Sequence, residues 1–116
     1  MWIEKNTGLV SCLQMAISKG KAYLVQALLE NNADPNSERI LDDGGCCSAL
    51  YDAVSTWPNT EIAKLLIQYG AEVNYSATVD YGECPVLNAA ICQGEVDIVQ
   101  DLLENNADPN SERIFA

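Results

Sequence analysis

Thirteen residues, Leu28 to Ile40 (LLENNADPNSERI), recur unchanged from Leu102 to Ile114, 74 positions downstream. Self-similarity at a period of about 20 to 50 residues is the signature of an array in which each unit finishes its packing against the next. Half the interval is 37, and a step of 37 from Leu28-Leu29 lands on Leu65-Leu66, inside EIAKLLIQYGAEVN. The chain therefore carries three copies of one unit, approximately residues 1–36, 37–74 and 75–116. Its 116 residues suit one domain and leave no room for a second core.

Each copy divides into two short helices. The first halves align as Ser11-Cys12-Leu13-Gln14-Met15-Ala16, Ser48-Ala49-Leu50-Tyr51-Asp52-Ala53 and Pro85-Val86-Leu87-Asn88-Ala89-Ala90. The second halves begin at Leu24, Ile62 and Ile98 and carry an apolar stripe at helical spacing. Gly20 and Gly94 separate the two halves, and Trp57-Pro58-Asn59 does so in the middle copy with one residue extra. Asn32, Gly70 and Asn106 stand where the second helix must end in a positive φ, and Pro35 and Pro109 follow shortly after. The polar stretches 37–47 and 75–84, with Asp43-Gly44-Gly45 and Asp80-Tyr81-Gly82, suit turns or a short hairpin.

These residues resemble the ankyrin repeat, a unit of about 33 residues with a T-P-L-H-x-A opening, a helix pair and a closing G-A-D-x-N. The strongest matches are Ala33-Asp34-Pro35-Asn36, Ala71-Glu72-Val73-Asn74 and Ala107-Asp108-Pro109-Asn110, with the Leu-Leu pairs ahead of them. Ser11, Ser48 and Pro85 replace the family's Thr, and Gln14, Tyr51 and Asn88 its His. The resemblance implies an all-α fold, a solenoid of three helix-turn-helix units with projecting loops or short hairpins. Stacking would bury Leu13, Ile17, Leu28, Leu50, Val54, Leu65, Leu87, Ile91, Ile98 and Leu102, with the small Ala16, Ala53 and Ala90 letting helices approach closely. Trp2, Ile3 and Leu9 would cap the first unit.

Composition narrows the function. Six Lys and Arg against seventeen Asp and Glu give a net charge of −11, which repels nucleic-acid phosphates and anionic membranes. No apolar run approaches the roughly 20 residues that cross a bilayer, and five cysteines without CxxC spacing suit a reducing cytoplasm. Histidine is absent, which removes the commonest general base and zinc ligand. Asp42-Asp43 and Cys46-Cys47 read as a solvated turn and two ordinary thiols, the glycines match no phosphate loop, and no cofactor or metal site is expected.

Such a chain is expected to be a monomer when free and to bind another protein without catalysis, through the concave face and loop tips that the resemblance implies. Occlusion of that partner would make it an inhibitor. By position the binding residues are Ser18, Lys19, Ser55, Thr56, Trp57 and Gln93 from the first helices, and Leu41, Asp42, Asp43, Tyr75, Tyr81 and Glu83 from the loops. Trp57 stands out, because it replaces Gly and because Trp and Tyr are enriched at binding hot spots. The alternative is an acidic mimic of nucleic acid that inhibits a nuclease or another nucleic-acid-binding protein, although acids such as Glu61 and Glu95 also favour helix starts.

Overall fold

A computed structural model describes residues 11–79 and 82–114, so the proposed caps Trp2, Ile3 and Leu9, and Tyr81, lie outside the described residues. Six helical segments follow the repeat: α1 Cys12–Ser18, α2 Ala22–Glu30, α3 Ala49–Tyr51 running into a π-helical turn Asp52–Thr56, α4 Thr60–Gln68, α5 Val86–Gln93 and α6 Val96–Glu104. Ser11 and Ser48 start their helices by accepting the N–H of Gln14 and Tyr51, each at 3.1 Å, which satisfies a donor the first turn leaves free. Asn32 and Asn106 end theirs at φ 73° and 74°. The helices form two rows, with α2, α4 and α6 in one and α1, α3 and α5 in the other.

The expected all-α class is corrected by four strands: β1 Glu38–Ile40, β2 Cys46–Ser48, β3 Ser76–Val79 and β4 Gly82–Pro85. They form one antiparallel sheet in the order β1-β2-β3-β4. The polar stretches between units do fold back as hairpins, but adjacent hairpins then join edge to edge through Cys46 opposite Thr78. Projecting strands leave unpaired N–H and C=O groups that a neighbour at the same height satisfies. Gly45 permits the approach, since a Cβ there would strike the Thr78 carbonyl oxygen. Ile114 continues the pattern by exchanging two backbone bonds with Glu83, at 2.7 and 2.8 Å.

Leu13, Leu50 and Leu87 are buried at equivalent places, as are Ala16, Ala53 and Ala90. Three expected core residues differ: Leu28 and Leu65 are only partly buried, and Ile91 is 60% exposed. For Leu65 the reason is register. The middle unit's extra residue is taken up by the π turn, where the Trp57 N–H reaches the Asp52 carbonyl at 2.7 Å. Helix α4 thus begins 38 residues after α2, and α6 begins 36 after α4. Leu66, fully buried, is therefore the counterpart of Leu28 and Leu102.

The closing Asn of the Ala-Asp-Pro-Asn and Ala-Glu-Val-Asn motifs ties each of the first two units to the next. Asn36 Oδ1 accepts the Glu72 N–H at 2.7 Å, and Asn74 Oδ1 accepts that of Asp108 at 2.8 Å. Gln14, standing where the resemblance would place His, is wholly buried and donates to the Cys47 carbonyl of the next unit at 3.2 Å.

Candidate functional interface

The turns that join the two helices of units one and two lie side by side and enclose a cleft of about 320 Å³. Its walls are Ile17, Ser18, Lys19 and Gly20 from the first unit and Thr56, Trp57, Pro58 and Asn59 from the second. Four of the residues proposed from sequence, Ser18, Lys19, Thr56 and Trp57, are thus brought together. Ser55 is half-buried one residue before Thr56, and Gln93 is exposed at the end of α5. Ser18 turns its hydroxyl back to the Met15 carbonyl at 2.7 Å, leaving the ammonium of exposed Lys19 the charged group of the rim.

Trp57 is half-buried and held from behind. The Arg39 guanidinium lies 4.9 Å from the centre of its ring, while the other side of that group grips Asp52. Arg39 Nη2 donates to Asp52 Oδ1 at 3.0 Å and Nε to Oδ2 at 3.2 Å, and Gln14 Nε2 donates to Oδ2 at 3.2 Å. Asp52 has no exposed surface, so its charge is tolerable only with these donors present. The bond to Asp52 raises the Arg39 pKa further above its ordinary value, against the opposing effect of burial. Sequence reasoning missed Arg39, Asp52 and Gln14. One signal was available: Asp52 occupies the place of Met15 and Ala89, and a carboxylate at a stacking position requires a cation nearby.

The remaining proposed residues gather on the strands. Asp42 and Asp43 are exposed at the tip between β1 and β2, where Asp43 Oδ1 accepts the Gly45 N–H at 2.8 Å and half-buried Leu41 donates to the Gly45 carbonyl at 2.7 Å. Tyr75 donates its hydroxyl to Glu38 Oε2 at 2.7 Å, and burial together with that carboxylate pushes its pKa upward. Glu83 is exposed on β4. The residues proposed therefore form two groups, one at the helix turns and one on the sheet, with Arg39 reaching from β1 to Trp57.

Chemistry is sparse. No group of three or more Cys, Asp and Glu among the described residues could hold a metal ion. Burial, followed by the Asp52 charge, pushes the Cys47 thiol up to about 11, which keeps it protonated and unreactive at neutral pH. No helix among the described residues is long and apolar enough to cross a membrane.

Comparison with known proteins places this geometry in a family. The family described as ankyrin repeats in three copies matches residues 13–113. The chain is 34% identical over 98 residues to the ankyrin repeat protein nuc-2 of Neurospora crassa, an alignment covering 84% of this chain and 8% of that protein. It is 33% identical over 103 residues to an ankyrin repeat protein, L86, of Acanthamoeba polyphaga mimivirus, covering 74% of this chain and 17% of that protein. The chain thus spans only a small part of either relative.

Proposed function

The chain belongs to the ankyrin repeat family, whose members are generally non-enzymatic protein-interaction modules, and we propose that it binds one partner protein through the helix-turn cleft and the sheet tips, with Trp57 as anchor. The observation that carries this reading is the stacking of Trp57 on Arg39. An indole fixed in place before binding loses little conformational freedom when it is covered, which is what distinguishes an anchor from a passive contact. Lys19 is the one ionisable side chain lining the cleft, with no acid, thiol or imidazole among the lining residues to share acid–base work with it. The role of the cleft is recognition, in the cytoplasm, and inhibition where the partner's own site lies beneath the covered surface.

The test is capture of partners from cells of the source organism on immobilised wild-type, Trp57→Ala and Asp43→Lys chains, with affinities then measured for the partner recovered. Loss of at least about tenfold in affinity with Trp57→Ala, against a smaller effect of Asp43→Lys, supports an aromatic-anchored interface. Equal binding by all three chains refutes it. Competition by DNA, with steep salt dependence, would instead support the acidic mimic.

A further inference from the structure

Both ends of the stack present faces that elsewhere in the same molecule are interfaces. On the first unit, Met15 and Leu24 are 51% and 43% exposed, whereas their counterparts Asp52, Ile62 and Ile98 are wholly buried beneath the preceding unit. Together with Cys12, Ala27 and Leu28 they line an apolar groove of about 600 Å³. On the third unit, Ile91 and Leu103 are 60% and 43% exposed, whereas Ile17, Val54 and Leu29 at the same places are covered by the following unit.

The two faces complement one another. The third unit ends in the thirteen residues, Leu102 to Ile114, that are identical to those with which the first unit packs on the second. The end helices also differ in charge: α1, α2 and their connection carry Lys19 and Lys21 against Glu30, whereas α5, α6 and theirs carry exposed Asp97 and Glu104 and half-buried Glu95 without Lys or Arg, Asp101 being turned to Lys64 of the second unit at 3.6 Å. We propose that the face of the third unit around Ile91 and Leu103 docks into the groove around Met15, Leu24 and Leu28 of a second copy. The contact repeats the interface between successive units within the chain and is head-to-tail, so each copy keeps one free face and association continues beyond a pair.

Sedimentation under a reductant, from about 10 μM to about 1 mM, reads the association directly. The wild-type mass should rise with concentration without stopping at a pair. Leu24→Lys and Leu103→Lys, or the more exposed Met15→Lys and Ile91→Lys if those lose their helical circular dichroism, should each stay monomeric. An equimolar mixture of one variant from each face should form a species of two chains and no larger. Alkylation of Cys12, which lines the groove, should slow as concentration rises while that of Cys92 does not. A wild-type chain monomeric throughout overturns the proposal. So does a monomer with Cys12 already shielded, which would mean that the chain's own residues fill the groove, and so does a mixture that fails to pair.

Discussion

Asp52 shows how one residue out of keeping with its position organises its surroundings. Its counterparts are Met15 and Ala89, so the repeat itself needs no charge there, and once a carboxylate is present Arg39 and Gln14 must face it. Removing Arg39 leaves a buried anion with a single side-chain donor, so Arg39→Ala should cost about 3 kcal/mol in urea unfolding. The double variant Arg39→Ala/Asp52→Ala should recover most of that loss, because an alanine already suits the same place in the third unit. Equal losses in the single and double variants would show that Arg39 stabilises by packing alone. Thiol chemistry separates residues in the same way. At pH 8, Cys12 and Cys92, both exposed, should react within minutes with a disulfide reagent, while Cys47 and Cys84 should react only on unfolding. The raised Cys47 pKa was not legible in the sequence, because it depends on the burial of β2 and on a neighbour five residues away.

Among the elements, each helix hairpin was legible because it rests on local rules: the Asn or Gly stop and the apolar spacing. The sheet was not, since pairing β2 with β3 needs two segments about thirty residues apart and neither carries a long alternating run. Helix α6 reveals a weak start. Asn59 caps α4 by accepting the Ile62 N–H at 3.0 Å, but Glu95 makes no such bond at the start of α6, and its Oε1 is buried without a partner. Burial raises the Glu95 pKa, so the fold favours the protonated acid despite the helix dipole. Its contribution is therefore fully present below the unfolded pKa and is lost as pH rises through the folded one. Glu95→Asn should stabilise the chain by about 1 kcal/mol at pH 7, from the new cap and the relieved carboxylate, and by less near pH 3.5. A gain independent of pH would assign the effect to the cap alone. Ala53→Leu, at a fully packed position between rows, should cost about 1 to 3 kcal/mol by overpacking.

At the scale of the whole molecule, stability depends on how many neighbours a unit has, and the repeat supplies an internal control for that statement. Leu28, Leu66 and Leu102 hold the same place on successive second helices, yet only the last two have a unit stacked over them. Truncation should follow coverage rather than sequence. Leu66→Ala and Leu102→Ala should each cost about 3 kcal/mol by leaving a cavity, and Leu28→Ala about 1 kcal/mol, at dilutions where the chain is monomeric. Read from the other face, Leu29→Ala should cost more than Leu103→Ala, although both lie within the identical thirteen-residue segments. Urea denaturation checks the ranking, and equal losses at positions 28 and 102 would contradict nearest-neighbour stacking. At concentrations where copies associate, Leu28→Ala and Leu103→Ala should become more costly, while Leu66→Ala, already enclosed within one chain, should not change. The groove on the first unit and the bare face of the third then respond together, as two halves of one interface must.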